Sequence, residues 1–305
     1  MKRKLVLLSG LAALSLTGAL LGCGGGGDST GDPMSTPVPT VPPGGVSRIV
    51  YAHQDPVSKN TDIYSIRLDG TEKTRLTTGF ASDVAPDLSP DGTKIVFQTS
   101  DRIAVMNVDG TGQTEIRGAN VGHGAPRWTP DGKKILFTAI PPSGGLATIY
   151  TMNPDGTGAI QISKDATTQY SDPDLSFDGT KIVCARTIRG PKPQLAVMNA
   201  DGSGETAIKT ASVARPRWSP DGTKILYRVQ KTGSLTEFDL GVINADGSGD
   251  TVVGSGIASG WSPDGAKILF ASDNSFSSVL YVVNADGSGK TLLGTTSETG
   301  FDPSY

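Results

Sequence analysis

Four charged residues, each of which directly follows a proline, have a spacing that could bring them together. They are Asp87, Arg127, Asp174 and Arg217, and Gly260 and Ser304 stand at the matching positions further along the chain. If these positions surround one axis, the alternating carboxylates and guanidinium groups would either pair with one another or bind a charged group that enters between them. We predict a ring of ion pairs that orders neighbouring repeats, with a ligand site as the alternative.

A second set of polar side chains precedes these positions by two to four residues. It contains Asp83, His123, Tyr170, Asp172, Arg215 and Asp302. A few convergent polar groups of this kind orient ligands in binding sites. We therefore predict that this set, together with the four charged residues, is the binding site.

Motifs for covalent catalysis or metal binding are sparse. Residues 27–31 match the Gly-x-Ser-x-Gly elbow of serine hydrolases, but that elbow needs a strand before it and a helix after it. This copy lies in a Gly- and Pro-rich stretch, and we interpret it as a chance match. The two histidines, His53 and His123, form no His-x-x-x-His pair. The Asp-Gly-Ser-Gly segments could suggest calcium, but turn chemistry explains their aspartates. We predict no catalytic residue, no metal and no cofactor.

Two families of Asp-Gly turns alternate along the chain and define its repeats. The first has the form Ser/Thr-Pro-Asp-Gly or a close variant, and is centred on Asp91, Asp131, Asp178, Asp221 and Asp264. The second has the form Asn-x-Asp-Gly-Ser/Thr-Gly or a close variant, and is centred on Asp69, Asp109, Asp155, Asp201, Asp246 and Asp286. A period of roughly 40 to 45 residues, with short strands between such turns, is typical of β-propeller blades.

The apolar runs between the turns predict four antiparallel strands in each unit, because Asp-Gly between such runs is a strong hairpin signal when both residues tolerate positive φ. The repeat region begins at residues 48–51 with a second-strand pattern, and it ends at residues 303–305 with a first-strand pattern. We predict an all-β, six-bladed propeller whose last blade is closed by the N- and C-terminal strands. Such closure removes the free sheet edge.

The repeat resembles that of a known family. Over residues 46–305 the repeat is similar to that of TolB-type six-bladed propellers. The pattern that carries the similarity is Pro-x-Trp-Ser-Pro-Asp-Gly-x-Lys-Ile-x-Phe, followed by Ile-Tyr-x-Met-Asn-x-Asp-Gly-Ser-Gly. The resemblance implies a binding module, with an envelope protein such as a peptidoglycan-associated lipoprotein as its partner. Propellers of this type also serve as accessory domains of peptidases, so the fold alone does not determine the function.

The N-terminal segment has the features of an export signal. Lys2, Arg3 and Lys4 precede an apolar stretch, and Leu20-Leu21-Gly22-Cys23 resembles a bacterial lipobox. We predict a lipoprotein signal peptide at residues 1–22, acylation at Cys23, a Gly/Pro/Ser/Thr-rich tether at 23–45 and the propeller at 46–305. The alternative is an ordinary cleaved signal. The protein would face the periplasm or the cell surface.

Charge and cysteine content limit the partners. The net charge of −3 would become −6 after loss of the signal, which argues against nucleic acid. Cys184 would remain as a single buried thiol. We expect a monomer that binds an envelope protein or a glycan and is not an enzyme. The alternative is a carbohydrate-active or hydrolytic propeller that uses rim carboxylates and His123, and a passive spacer or sensor is a third possibility.

Overall fold

The structure is a computed structural model. It describes residues 48–54, 60–67, 71–79, 81–116, 121–188, 192–234, 237–256, 258–273, 278–295 and 302–304. For residues 121–123, 258–259, 272–273, 278–280, 293–295 and 302–304 only the backbone is described. The predicted signal peptide, Cys23 and the tether lie outside these ranges. No helix in the described ranges is long and apolar enough to span a membrane.

Twenty-four strands form six four-stranded antiparallel sheets, which confirms the predicted all-β, six-bladed propeller. Blades 1 to 3 contain β1 (Arg48–Gln54), β2 (Thr61–Arg67), β3 (Thr74–Arg75), β4 (Asp83–Leu88), β5 (Lys94–Thr99), β6 (Arg102–Asn107), β7 (Thr114–Ile116), β8 (Val121–Trp128), β9 (Ile135–Ile140), β10 (Thr148–Met152) and β11 (Ile160–Gln161). Blades 4 to 6 contain β12 (Thr168–Leu175), β13 (Lys181–Ile188), β14 (Gln194–Asn199), β15 (Thr206–Thr210), β16 (Val213–Trp218), β17 (Lys224–Gln230), β18 (Phe238–Asn244), β19 (Thr251–Ser255), β20 (Ala258–Trp261), β21 (Lys267–Asp273), β22 (Ser278–Asn284) and β23 (Thr291–Thr295).

The remaining strand closes the ring. β24 (Asp302–Ser304) pairs with β1, with Ser304 opposite Val50 and Pro303 opposite Tyr51. Blade 1 therefore has the order β24-β1-β2-β3, and the predicted composite blade is confirmed. Val50 and Tyr51 are buried: Val50 packs in an apolar cluster with Ile95 and Phe97 of blade 2, and Tyr51 packs with Ala271 of blade 6. Closure of blade 1 therefore holds it between its two neighbours.

The Ser/Thr-Pro-Asp-Gly turns differ in one respect from the sequence expectation. Gly92 has φ +71°, but Asp91 is not left-handed, so only the glycine uses the positive-φ region. Asp91 acts through its carboxylate instead: Oδ1 accepts hydrogen bonds from Ser89 Oγ at 2.6 Å and from the Thr93 amide at 3.0 Å. These bonds favour the charged form and lower the pKa of Asp91. The same Ser/Thr-to-Asp bond recurs at Asp131, Asp178, Asp221 and Asp264.

Each blade packs on the next through the residue that ends its first strand. Trp218 belongs to one apolar cluster with Val183 and Leu195 of blade 4 and with Ile225 and Tyr227 of its own blade 5. Trp128 and Trp261 occupy the same place in blades 3 and 6, and all three residues are buried. These tryptophans therefore serve inter-blade packing.

Five of the six blades carry an aromatic residue at the same point of the second strand, and in three of them it stacks on an aromatic residue of the third strand. Tyr51 faces Tyr64, Phe137 faces Tyr150 and Phe270 faces Tyr281 in these stacked pairs. In blade 4 Cys184 takes this position opposite Ala196, and it is fully buried, as predicted. Burial raises the pKa of its thiol, so the group stays protonated and packs as a small apolar side chain.

Candidate functional site

The first strand of each blade lies innermost, and in four blades it carries a β-bulge. The first strands of successive blades lie against one another around the axis, from β24 through β4, β8 and β12 to β16. In β4, β8, β12 and β16 the register shifts just before the predicted charged residue, so that the X-Pro dipeptide drops out of the ladder. Proline has no amide hydrogen to donate, and a bulge accommodates it.

The residue before each of these prolines has a left-handed backbone. Ala85, Ala125, Asp172 and Arg215 have φ values of 51°, 47°, 50° and 51°. For residues other than glycine this costs on the order of 1–3 kcal/mol each, and such strain is concentrated at functional sites. Blade 6 has no proline at this point, and β20 pairs with β21 without a register shift. The sequence analysis missed the bulges, although a proline in the middle of a predicted strand is their signal.

Asp87 and Arg127 form the ion pair that the sequence predicted for this ring. The Arg127 guanidinium lies 2.9 Å from Asp87 Oδ1, and both side chains are largely buried. Asp87 Oδ2 also accepts a hydrogen bond from the backbone amide of Trp128 at 2.8 Å. The carboxylate of blade 2 is therefore bound to blade 3 by a charged and a neutral donor, which fixes the spacing of the two blades.

Asp174 and Arg217 occupy the same positions in blades 4 and 5 but do not form the corresponding pair. Asp174 Oδ2 accepts the Trp218 amide at 2.8 Å, as Asp87 does with Trp128. The Arg217 guanidinium turns back and donates to the carbonyl oxygen of Pro216 at 2.7 Å. Among the described residues no Asp174–Arg217 contact within 4.0 Å exists. The predicted ring of ion pairs is thus formed on one side and open on the other.

Desolvation determines the protonation of Asp174. Burial raises the pKa of this carboxyl to about 7, against the opposing effects of the Arg127 charge and the Trp218 amide, and the nearby Asp87 charge raises it further. Asp174 as a whole keeps some exposure to solvent. It can therefore exchange its proton near neutral pH.

We expect Asp174→Asn to change the pH dependence of stability. The folded pKa of about 7 lies above the usual value of 3.8, so the folded state binds the proton more tightly and its stability falls as pH rises from about 4 to 7. The variant should therefore match the native protein at pH 4 and exceed it at pH 8, by at most about 4 kcal/mol. Chemical denaturation at several pH values measures this.

Asp91→Asn is the matched control, because the pKa of Asp91 is lowered and its contribution is lost in acid instead. This variant should be less stable than the native protein at pH 7, and the difference should shrink towards pH 3. Parallel pH profiles for the native protein and Asp174→Asn would contradict the assignment of a raised pKa.

Two of the predicted rim residues are buried within blades. Tyr170 is 1% exposed, and its hydroxyl donates to Glu205 Oε2 at 2.7 Å. Arg186 contacts the other oxygen of Glu205. Tyr170 packs with Cys184 in one apolar cluster, in the blade that lacks the second-strand aromatic residue. Asp83 is 4% exposed, and its Oδ1 has no hydrogen-bond partner in the described part of the molecule.

The other predicted residues divide between described and undescribed positions. Asp172 and Arg215 are half-buried at the left-handed bulge positions, next to Asp174 and Arg217. His123 and Asp302 lie in β8 and β24, but their side chains are outside the description. Among the described residues no group of three or more His, Cys, Asp or Glu side chains could hold a metal ion.

The aspartates of the second family of turns bind their own turns. Asp109 Oδ1, for example, accepts hydrogen bonds from the amide and the hydroxyl of Thr111.

Comparison with known proteins shows which family and which solved structures this chain resembles. The family described as TolB beta propeller domain matches residues 98–305. TolB from Acinetobacter baumannii shares 20% identity with a TM-score of 0.69, over 84% of this chain and 66% of its own, so this chain spans just under two thirds of that protein. No curated protein matches the chain.

Two further solved structures share the fold at lower identity. A chain of a nidogen–laminin complex is 12% identical with a TM-score of 0.64, over 84% of this chain and 97% of its own. Oligogalacturonate lyase from Vibrio parahaemolyticus is 16% identical with a TM-score of 0.54, over 80% of this chain and 78% of its own. At these identities the likeness establishes the fold, which can carry several functions.

Proposed function

Because the chain belongs to the TolB beta propeller domain family, we propose that it is a non-enzymatic binding module of the cell envelope. It binds a protein partner through the channel mouth and the loops around it. The observation that carries this proposal is the row of strained bulges that hold charged side chains on the innermost strands. Strain at non-glycine residues persists where the surrounding structure enforces it, and binding sites are common among such places.

The loop face of the disc offers the surface for such a partner. In blades 2 to 6 both Asp-Gly turns lie at one end of the strands, because neighbouring strands are antiparallel. The opposite end carries the connections between second and third strands, of which residues 141–147 and 231–237 are long. In blade 5 the pairing of the second and third strands continues to Gln230 and Phe238 at the base of the second of these loops. Variable loops on a rigid scaffold commonly carry recognition residues.

Export and lipid anchoring complete the proposal. The apolar segment before Cys23 and the polar tether after it support acylation of this cysteine and display of the propeller away from the membrane. In the producing bacterium, Cys23→Ser should move the protein from the membrane fraction to the soluble fraction. Unchanged membrane association of this variant would remove the anchor from the proposal.

Affinity capture from envelope extract tests the binding function. The native protein, Arg217→Gln and Arg102→Gln are immobilised in parallel; Arg102 forms an exposed ion pair with Glu115 and serves as the control. We expect one protein to be retained by the native protein and by Arg102→Gln, and to be lost with Arg217→Gln. If no protein is retained by any of the three, the binding function is wrong. Hydrolytic or lyase activity that is lost on single alanine substitution of Asp83, Asp172 or His123 would establish the enzymatic alternative instead.

A further inference from the structure

We propose that the channel wall between blades 4 and 5 is a bipolar subsite, which binds a polypeptide segment carrying a basic and an acidic side chain close together. The basic group pairs with Asp174 and the acidic group with Arg217. This inference rests on the proposed protein-binding function and names the chemistry that the partner must supply.

The comparison of equivalent positions within the same ring carries the inference. In blades 2 and 3 the guanidinium of Arg127 reaches back to Asp87 and satisfies it at 2.9 Å. In blades 4 and 5 the backbone contact is reproduced, since Asp174 accepts the Trp218 amide just as Asp87 accepts the Trp128 amide. The ion pair, however, is missing: the Asp174 carboxylate and the Arg217 guanidinium do not meet as Asp87 and Arg127 do.

Within the described residues, the Asp174 carboxylate and the Arg217 guanidinium both lack a nearby counter-ion. In the described part of the chain, no Lys, Arg or His nitrogen lies within 4.0 Å of the Asp174 carboxylate, and no carboxylate oxygen lies within 4.0 Å of the Arg217 guanidinium. Each side chain is half-buried and keeps some access to solvent. A ligand that supplies a cation to the ionised Asp174 carboxyl and an anion to the Arg217 guanidinium would place a counter-ion in direct contact with each group, closer than the Arg127 charge that already acts on Asp174.

The neighbouring bulge residues extend the same polarity. Asp172 and Arg215 precede Asp174 and Arg217 by two residues, and their left-handed backbones lie in the same two blades. Blade 4 thus carries a second acidic residue and blade 5 a second basic residue in its innermost strand. By contrast, Gly260 and Ser304, which match Asp174 and Arg217 in blades 6 and 1, carry no charge.

This arrangement selects among classes of ligand. Acidic sugars and nucleic acids offer anions only, and they would leave the Asp174 carboxylate without a counter-ion and repel it. A polypeptide can supply Lys or Arg and Asp or Glu within a few residues, so that both protein charges are paired. Complementary charges of this kind give specificity and orientation as well as affinity.

Fluorescently labelled decapeptides binding to the full chain test the inference. Their Gly/Ser frame is constant, and their centre is Lys-Gly-Glu, Glu-Gly-Lys, Lys-Gly-Gln, Gln-Gly-Glu or Gln-Gly-Gln. We expect one of the two bipolar peptides to bind at least about tenfold more tightly than Gln-Gly-Gln. Asp174→Asn should abolish the gain from Lys alone, and Arg217→Gln the gain from Glu alone. Arg102→Gln should leave both gains unchanged.

The variants are chosen so that folding does not confound the result. Asparagine at position 174 can still accept the Trp218 amide, and thermal melting of each variant verifies that it is folded. Equal affinity for all five peptides, or no binding of any, overturns the inference. So does tight binding of digalacturonic acid that needs Arg217 but not Asp174. If envelope capture still retains a partner in these cases, the binding function stands and only the bipolar subsite is wrong.

Discussion

Removal of residues 301–305 should destabilise the whole propeller rather than trim a tail. β24 supplies the inner strand of blade 1, and without it the sheet has a free edge and the ring is no longer closed. Val50 packs in an apolar cluster with blade 2, and Tyr51 packs with Ala271 of blade 6. Loosening blade 1 exposes these side chains, which costs about 1.5–3 kcal/mol each. We therefore expect a loss of about 4 kcal/mol or more in the free energy of unfolding. In a domain of this size this lowers the melting temperature by roughly 8–16 °C.

Thermal melting followed by circular dichroism measures this loss. Deletion of Ser143, Gly144 and Gly145 is a suitable control, because these residues lie exposed in the connection between β9 and β10. Loops of this kind tolerate changes in length. If the C-terminal truncation melts at the native temperature, the pairing of β24 with β1 does not hold the ring closed.

Asp87→Ala should be among the most damaging single substitutions in the innermost strands. It leaves the Arg127 guanidinium without its carboxylate and removes the acceptor of the Trp128 amide. Breaking a buried ion pair by deleting one partner typically costs about 3–5 kcal/mol, because the other charge stays buried. We expect a loss of this size in chemical denaturation.

Two comparisons separate the causes of that loss. Asp87→Asn keeps an acceptor for Trp128, so the difference between the two variants reports the amide bond. Glu115→Ala breaks the Arg102–Glu115 pair, which has a similar distance of 2.8 Å but is exposed. Exposed pairs contribute about 0–1 kcal/mol. A loss at Asp87 no larger than that at Glu115 would show that burial does not strengthen the Asp87–Arg127 pair.

The sequence predicted the architecture because the features that specify it are local and repeated. Two turn families, each recognisable within six residues, mark the strand ends, and their period gives the number of blades. Even the closing blade was predictable, since the unmatched strand patterns at residues 48–51 and 303–305 complete one another. The burial of Cys184 was predictable as well, because this residue lies at a fixed point of the repeat.

The pairing and burial of the side chains in the candidate site were not predictable in the same way. From sequence, Asp87–Arg127 and Asp174–Arg217 are equivalent pairs at equivalent positions. Tyr170 is likewise equivalent to Asp83 and His123, yet it fills the space beside Cys184 and binds Glu205. These outcomes depend on distances between side chains that belong to different strands and blades.

The sequence by itself therefore determined the all-β class, the six blades, their closure and the identity of the residues near the axis. Only the tertiary structure decided which of those residues are paired, which are buried and which keep an unpaired charge. The physical reason is the distance along the chain over which each kind of interaction acts. Turn and strand preferences act within a few residues, whereas an ion pair requires donor and acceptor to meet within about 3 Å across two packed blades, and the turning of one guanidinium breaks it.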